Sequence, residues 1–518
     1  MENALGIHRP RHRRAAEARF GAQRGGGPDT MNSDLIRHAA GRCGRALGGV
    51  LACVAVLMPA AGCNAPAITR DSEAARFRAE LQSRAESLNL DPQRALTVEE
   101  CEALALAGSL DLRVRRLALE MQDDQVRLAM TGMLPKLSLA YDYAERSNEA
   151  AVRFGQMTAS FEDRRQQRLV VQGTVPILDW GLAYYAYRNA LDRRAQERLL
   201  LERAVQLLRR DVRVAYARHA GALRQEKLAR VALRAAEQVL RVAKNLERED
   251  MAVPAETALV EAALSQAAME VSLAEARVQE THLQLAQLMS LPPGTIFRIQ
   301  EDLPPLPPLP TAEELRMYVE NALMRRPELG AQDLQRHVAL NTVRQAAADF
   351  LPRVDGLGSF NWSNASVAVN PSYFLMGFRV AHSLLNGGAT VWQYSLAKKA
   401  ATVEEQRTLL VSLGIVYEVE LRALHLRQAH DIIGSARALE EARRRALDRV
   451  INLYREGLED EAGAARALAE LTSQATVLDR VQTDYLTAWH ELEAAALLFD
   501  GPPRISQTMP ATQKASMP

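Results

Sequence analysis

Residues 134–143 read LPKLSLAYDY, and this stretch decides the fold. Its Leu134-Pro135 pair ends a long helical pattern, because proline lacks the amide hydrogen that a helix uses and disfavours a helical conformation in the residue before it. After the pair, apolar and polar residues alternate with a period of two, which predicts a β-strand. Leu351-Pro352 makes the same change 217 positions later. The chain therefore repeats a plan of helix followed by strand.

The repeat continues beyond the first strands. Residues 176–181 read PILDWG and correspond to residues 383–388, SLLNGG, at an offset that has fallen from 217 to 207. We predict a twofold internal repeat, with copy one at 96–290 and copy two at 311–499, and such a repeat dictates the architecture. The fall in the offset predicts a second copy that is shorter between its strands, most simply in an external loop.

Each copy is predicted to hold a helix, two strands and a pair of long helices. Thr97 and Thr311 are each followed by glutamate three positions later, a capping box that starts a helix. These helices are expected to run to Gly132 and to about Asp349. The strands are about ten residues long, the length of a tilted strand that crosses a bilayer. Four strands cannot close a barrel and open edges are not tolerated in lipid, so several chains must contribute if these strands cross a membrane.

The long helices are predicted from two segments without proline, 182–250 and 389–458. At 1.5 Å per residue, each helix would be on the order of 100 Å long. The segments that follow carry heptad seams of apolar and small residues, which predicts two antiparallel helical pairs. Between the copies, the proline-rich residues 291–310 predict a stiff extended connector, with a ligand for a proline-binding domain as the alternative.

The N-terminal region predicts a lipoprotein signal. Within residues 1–62, arginines precede an apolar run that is too short to span a membrane, and the run ends in Ala-Ala-Gly before Cys63. This resembles the bacterial lipobox, whose cysteine becomes the lipidated first residue; the alternative is an ordinary signal peptide with a chance cysteine. Met31 is an alternative start to Met1. Residues 63–95 are predicted to be a polar lipidated segment with a short helix, and residues 500–518 a disordered tail.

Composition and motifs disfavour several functions. The chain has 64 basic and 63 acidic residues, so it has no basic excess that would attract nucleic acid. Its four cysteines form no C-x-x-C pair, which disfavours a zinc site. It contains no phosphate-binding loop, nucleophile elbow or metalloprotease motif. Histidines such as His219 and His282 are interpreted as isolated polar residues of a surface or lumen. We predict no enzyme activity, cofactor or bound metal.

Taken in order and doubled, these motifs resemble those of the TolC-like outer-membrane efflux family. The motifs are the lipobox, the twofold repeat, Leu-Thr-x-Glu-Glu, Leu-Pro before a strand, and a strand-to-helix motif. The strand-to-helix motif comprises Asp179, Gly181, Asn386, Gly387 and Gly388. The resemblance covers roughly residues 96–499, nearly the whole mature chain.

The resemblance implies a mainly α-helical chain with a small transmembrane β part. It implies a homotrimer in which four strands from each subunit complete a 12-stranded barrel in the outer membrane. The helices would form a periplasmic tunnel that docks an adaptor protein and, through it, an inner-membrane pump. The implied function is a passive exit duct of a tripartite efflux or type I secretion system. The alternative is a periplasmic coiled-coil scaffold or adaptor without a pore, whose alternating segments form small soluble sheets.

The tips of the helical hairpins depart from the family pattern. Copy two has Tyr-x-x-Gly-Leu at 454–458, but Gly463 stands where the family often has an aspartate. Copy one has Pro254 in the turn. We predict an acidic periplasmic mouth formed by Glu256 and by Glu459, Asp460 and Glu461. The alternative is an ordinary solvated helix end, because carboxylates favour the N-terminus of a helix.

Overall fold

The computed structural model describes residues 69–88, 93–147, 150–154, 157–162, 164–249, 254–302, 304–365, 370–382, 387–456 and 458–498. The predicted leader 1–62, Cys63, Asn386 and the tail 500–518 lie outside these ranges. The chain divides into two compact units, Met1–Arg78 and Ala79–Pro518. Helix α1 (Arg70–Leu88) begins in the first unit and confirms the helix predicted in the polar segment. Among the described helices, none is both long enough and apolar enough to span a membrane.

The second unit contains the remaining described elements. In copy one they are β1 (Ala95–Leu96), α2 (Val98–Gly108), α3 (Leu110–Thr131), β2 (Lys136–Glu145), β3 (Ala150–Phe154), β4 (Met157–Glu162), β5 (Arg165–Leu178), α4 (Leu182–Arg248) and α5 (Pro254–Leu288). The connector carries β6 (Arg298–Ile299). In copy two they are α6 (Ala312–Arg325), α7 (Pro327–Ala348), β7 (Arg353–Ser363), β8 (Ser372–Ala381), α8 (Gly387–Arg455) and α9 (Glu461–Ala496).

The predicted single helix before each strand pair is wrong, because both helices are broken. Thr97 and Thr311 do form the predicted capping boxes. In copy one the backbone then breaks at Ser109, whose side chain accepts a hydrogen bond from the backbone of Leu112 and so starts α3. In copy two the break falls at Arg326, 217 positions later, where Pro327 is the first residue of α7. Proline is favoured at that position, since its missing amide hydrogen would have no helical partner there.

The long helices are confirmed, but their partners are only half as long. Helices α4 and α8 have 67 and 69 residues, whereas α5 and α9 have 35 and 36. The upper half of α4, next to the strands, therefore packs on α3 and α7, and its lower half on α5 and α9. Helices α7 and α9 also contact α8. The helices thus lie side by side, with α4 flanked by α3 and α5 on one side and by α7 and α9 on the other.

The four predicted strands form one antiparallel sheet in the order β2-β5-β7-β8. The sequence did not predict the hairpin of β3 and β4, which lies in the connection between β2 and β5. That connection has nineteen residues, 146–164, against eight, 364–371, between β7 and β8. The predicted shortening of copy two is therefore confirmed and falls in this loop.

Each copy of the repeat has its own hydrophobic core, and the two cores occupy equivalent positions. The core of copy one is formed by α2, α4, α5 and the connector, and includes Cys101, Val212, Leu285 and Phe297. The core of copy two is formed by α6, α8 and α9 and includes Val419, Leu426 and Leu492. The predicted extended connector is not a free spacer, because Ile299 is buried and pairs with Leu96 in a two-stranded parallel sheet. Alanines at many interior positions allow the helices to approach closely.

Candidate functional site

The sheet has one apolar face that runs across all four strands. Leu139 lies opposite Val171, Val171 opposite Phe360, and Phe360 opposite Phe374. Residues that lie directly opposite each other point to the same face of a sheet. By the same register, the face comprises Leu137, Leu139, Tyr141, Leu169, Val171, Val175, Phe360, Trp362, Phe374, Met376, Phe378 and Val380.

The opposite face of the sheet is mostly polar. One of its rows runs from Ser138 through Gln172 to Ser359 and ends at Leu375. The apolar face is exposed in the single chain, with Leu137, Phe374 and Met376 at 78, 78 and 85 % exposure. An apolar patch of this extent is not stable in water and marks a surface that contacts lipid or protein. Alternation between an apolar face and a more polar face is the pattern of a strand that separates lipid from an aqueous lumen.

Both edges of the sheet are open. Strands β2 and β8 each pair on one side only, so their outer backbone groups have no strand partner among the described residues. Open edges of this length invite pairing with another strand. The sheet thus has two complementary places at which a further copy of the chain could extend it.

The helical layer also has an uncovered apolar surface at each of its two sides. On α8, a stripe of exposed apolar side chains faces away from α7 and α9: Trp392, Leu396, Val403, Leu410, Tyr417 and Leu424. Their spacing of four and then seven residues is the period of a coiled-coil seam. At the other end of the layer, α3 exposes Val114, Leu117, Met121 and Leu128. Each chain therefore has one unfilled apolar seam at each side.

The strand-to-helix motif of copy one forms a tight junction. The Asp179 carboxylate accepts hydrogen bonds of 3.0 Å from the backbones of Gly181 and Ala183, and so satisfies the start of α4. Gly181 has φ +81, a conformation that favours glycine. Trp180 donates a 2.8 Å hydrogen bond from Nε1 to the carbonyl of Pro352. The junction of copy one is thereby tied to the Leu-Pro pair of copy two.

Copy two does not repeat this junction in the described part of the chain. Asn386 lies outside the described residues, and Gly387 is the first residue of α8. Gly388 is exposed and a Cβ there would meet no atom within 4 Å. Gly388 therefore has no packing or backbone requirement comparable to the one at Gly181.

The structure puts the predicted acidic residues at the starts of two helices. Asp460 precedes α9, and its carboxylate accepts a 2.7 Å hydrogen bond from the backbone of Gly463. This is the capping role that the alternative interpretation assigns to it. Glu459 is exposed, and its carboxylate lies against Gly463. Glu461 and Glu256 lie in the first turns of α9 and α5. A common mouth for all four residues remains a prediction.

Two buried arginines were missed by the sequence analysis. Arg326 has 3 % exposure, donates hydrogen bonds of 2.8 and 2.6 Å to the carbonyl of Ala495, and pairs with Glu418. Arg203 pairs with Glu328 and donates to the carbonyl of Ala494. These side chains satisfy the carbonyls at the end of α9, which have no partner within the helix. Burial would raise the pKa of the Glu418 carboxyl, but the hydrogen bond and charge of Arg326 lower it below its usual value.

The interpretation of His219 and His282 as isolated polar residues is wrong. His219 has 3 % exposure, and its ring lies 5.4 Å from that of His282, which stacks on Phe297 at 4.2 Å. Nδ1 of His219 is 3.0 Å from Oγ1 of Thr281. Burial, with the nearby His282, lowers the pKa of His219 to about 4. His219 is therefore a neutral part of the core. Among the described residues no cluster of three metal-binding side chains occurs.

Comparison with known proteins identifies this arrangement. The profile of the outer membrane efflux protein family matches residues 103–290 and 318–496, one region in each copy of the repeat. The twofold repeat and the fold class predicted from the sequence are thereby confirmed. No curated protein is similar enough in sequence to count as a match.

Several solved outer-membrane channels share the fold. VceC of Vibrio cholerae has a TM-score of 0.66 at 16 % identity, with 77 % of this chain and 95 % of that chain covered. CmeC of Campylobacter jejuni has a TM-score of 0.66 at 15 % identity, with 77 % and 85 % covered. MtrE of Neisseria gonorrhoeae, in an open state, has a TM-score of 0.63 at 17 % identity, with 77 % and 88 % covered. With the family profile matching both copies, the chain belongs to the outer membrane efflux protein family.

Proposed function

We propose that this chain is the outer-membrane exit duct of a tripartite efflux or type I secretion system. Three chains would join edge to edge, β8 of one against β2 of the next, to close a 12-stranded barrel. The observation that carries the proposal is the apolar face, which is continuous across four strands and ends at two open edges. Open strand edges are not tolerated in lipid. Closure by further copies would pair both edges and leave the apolar face in contact with lipid.

In this assembly the helices form a periplasmic tunnel. The exposed seam on α8 would pack against α3 and α5 of the next subunit, which expose apolar side chains at the other end of the layer. An adaptor protein and an inner-membrane pump would act at the far ends of the helical pairs. Substrate would move passively, without a catalytic residue, through a lumen whose charge and width set what passes.

The acidic residues at the tips are proposed to line the periplasmic mouth. Glu459 and Asp460 lie at the turn between α8 and α9, and Glu256 lies at the start of α5. The tips of the two copies differ, with Pro254 in one and Gly463 in the other. We therefore expect the two hairpins to contribute differently when the duct opens. Neutralising Glu459 should change ion selectivity of the duct without changing its assembly.

Cys63 is proposed to carry the lipid that anchors the mature chain. The support is the sequence Ala-Ala-Gly-Cys after an apolar run. Growth with labelled palmitate should label the wild-type chain and leave the Cys63→Ala variant unlabelled. Equal labelling of both would contradict the anchor and leave the duct proposal intact.

A pair of adjacent substitutions tests the duct against the scaffold alternative. Met376 is on the apolar face near the middle of β8, and Leu375 is on the opposite face. Arginine on a lipid-facing position near the bilayer midplane costs about 2–4 kcal/mol. We expect Met376→Arg to reduce the trimer recovered from outer membranes, and Leu375→Arg to assemble and shift conductance selectivity towards anions in planar bilayers.

A soluble scaffold would respond differently to the same changes. Since Met376 would then face water, its replacement by arginine would be harmless, and neither variant would conduct. Wild-type protein that runs as a monomer before heating and gives no conductance would overturn the proposal.

A further inference from the structure

A cavity of about 360 Å³ lies between the first turns of α4 and the last turns of α7. Helix α4 contributes Tyr184, Tyr185, Arg188 and Asp192, and α7 contributes residues from His337 to Arg344. The volume is within the range of sites that bind small molecules or headgroups. Nothing in the duct function requires this cavity, so its residues need a separate explanation.

The upper part of the cavity carries two arginines without an acidic partner. Among the described residues, neither Arg188 nor Arg344 pairs with a carboxylate. Arg344 is held in place, because Nη1 donates a 3.0 Å hydrogen bond to Oδ1 of Asn341 and its guanidinium lies 5.8 Å above the centre of the Tyr185 ring. A positioned guanidinium is planar and can donate two parallel hydrogen bonds to the oxygens of a charged acceptor such as phosphate.

The internal repeat supplies a comparison for these arginines. Arg127 of copy one is the counterpart of Arg344, 217 positions earlier, and pairs with Asp124 at 3.3 Å. The counterpart of Asp124 is Asn341. Copy two thus keeps the arginine and replaces its carboxylate by an amide. The positive charge of Arg344 is therefore left available to a ligand, whereas that of Arg127 is neutralised within the chain.

In the proposed assembly the hydrocarbon ends where the helices begin, which puts Arg344 within the headgroup layer and Arg188 just below it. The headgroup layer extends roughly 5–8 Å beyond the hydrocarbon on each side of a bilayer. At 1.5 Å per residue, Arg188 lies about 9 Å below the start of α4, and Arg344 about 6 Å below the end of α7. Trp180 and Tyr184 are exposed just above, where aromatic side chains mark the interface.

The strands fix which side of the chain is the lipid side. The backbone of Arg146 donates to the carbonyl of Arg164, so even-numbered residues of β2 hydrogen-bond to β5 and the odd-numbered apolar ones do not. Consider a strand of L-amino acids that runs upward, with one side chain pointing at the viewer. The N–H and C=O groups of that residue then point to the viewer's right. With the helices below and the apolar face in front, β5 therefore lies left of β2, and α7 lies left of α4.

The helices show that the cavity opens on that same side. Seen from the strands, residues of a descending right-handed helix advance clockwise by about 100° each. Helix α4 reaches α3, on the right, through Arg194, which pairs with Asp123. It reaches α7, on the left, through Leu199, which lies against Gly330. Between the direction of α3 and the direction of α7, Tyr184 and Arg188 point to the side from which the apolar face of the sheet is seen. The cavity therefore opens on the lipid-facing side, below the apolar face.

We propose that this cavity binds the headgroup of a phospholipid of the periplasmic leaflet, with the phosphate at Arg188 and Arg344 and a terminal ammonium at Asp192. Asp192 has only 9 % exposure and lies one helical turn deeper than Arg188. No cation pairs with it among the described residues. A headgroup that is negative near the membrane and positive beyond it, such as phosphoethanolamine, complements this order of charges. The inference rests on the proposed function, because it needs the strands to lie in the outer membrane.

The test is native mass spectrometry of the full-length trimer in detergent, with phosphatidylethanolamine added at increasing concentration. Because a hydrogen bond to a charged group is strong, Arg188→Gln and Arg344→Gln should each weaken lipid binding about tenfold. Asn341→Asp should weaken it as well, since it gives Arg344 the partner that Arg127 has in copy one. Asp192→Asn should weaken phosphatidylethanolamine binding and leave phosphatidylglycerol binding unchanged.

Arg193→Gln is the matched control, because Arg193 is on the same helix but faces the opposite side. It should bind lipid as the wild type does. Equal binding by all variants would overturn the inference, as would binding of inorganic phosphate as tight as that of the lipid. Each variant is first run unheated to establish that it is a trimer; if a glutamine variant fails there, Asn341→Asp decides the question. A wild-type chain that forms no conducting trimer would instead overturn the proposed function.

Discussion

Gly181 is a residue whose identity is dictated by backbone conformation. Its φ of +81 lies in the region that residues with a Cβ disfavour, and it follows Trp180, itself at φ +55. Gly181→Ala should therefore destabilise the chain by about 1 kcal/mol. Gly388→Ala, in the corresponding motif of copy two, should be neutral or stabilising, because that glycine is helical with open space around it. Paired thermal denaturation of the two variants measures the difference, and equal losses would contradict it.

His219 makes stability depend on pH in a predictable direction. Its pKa is about 4 in the folded chain against about 6.5 when unfolded, so the unfolded chain binds more protons below pH 6.5. The neutral ring therefore contributes stability that is fully present above pH 6.5 and is lost as pH falls towards 4, about 3 kcal/mol in all. His219→Gln should flatten the fall in melting temperature between pH 7 and pH 5. His425→Gln, an exposed change on α8, should leave the wild-type slope.

At the residue scale, the sequence predicted what depends on neighbours along the chain. The capping residues Thr97 and Thr311 could be identified because both partners lie within three positions. The burial of His219 could not, because it depends on which face of α4 meets α5 and the connector. Asp179 and Gly181 were predicted as part of a strand-to-helix motif from adjacent residues alone. The hydrogen bond from Trp180 to Pro352 spans 172 positions and leaves no local signal.

At the scale of elements, Arg326 joins four helices. It stands at the break between α6 and α7 and satisfies the last turn of α9 while pairing with Glu418 of α8. Removing one partner of a buried, hydrogen-bonded pair costs about 3–5 kcal/mol, because the remaining charge is left unpaired. Arg326→Met should therefore lower the melting temperature sharply. Arg422→Met, which breaks the partly exposed pair with Glu491, should cost about 1 kcal/mol or less. Similar losses in both variants would show that Arg326 has no special role.

Element lengths followed from the sequence more reliably than element contacts. The absence of proline predicted α4 and α8, and alternation predicted the four main strands, because both patterns are local. The β3–β4 hairpin was missed, since its residues were interpreted as part of a polar loop. The half-length of α5 and α9 was also missed, and with it the role of α3 and α7 in filling the upper half of the helical layer.

At the scale of the whole molecule, the two copies are similar in plan but different in use. The sheet and the helical layer both place copy one beside copy two in chain order, and both end in open apolar edges. If three chains close the assembly, it contains six similar repeat units. These units meet through two kinds of contact, one within a chain and one between chains. The sequence predicted the need for further chains from the strand count alone. The strand order and register showed which face is apolar and which edges are open to further chains.

The contact between chains can be tested on the seam of α8. Leu410 has 67 % exposure in the single chain and would be buried against the next subunit in the trimer. Leu410→Glu places a charge in that contact, and burying an unpaired carboxylate costs several kcal/mol per site. We expect the purified variant to run as a monomer before heating, while its helical content by circular dichroism stays that of the wild type. Met324→Glu makes the same kind of change at an exposed side chain of α6 outside the seam, and should leave the trimer intact. A Leu410→Glu trimer as stable as the wild type would mean that α8 faces solvent or lumen, and the subunits would then have to meet through the strands alone.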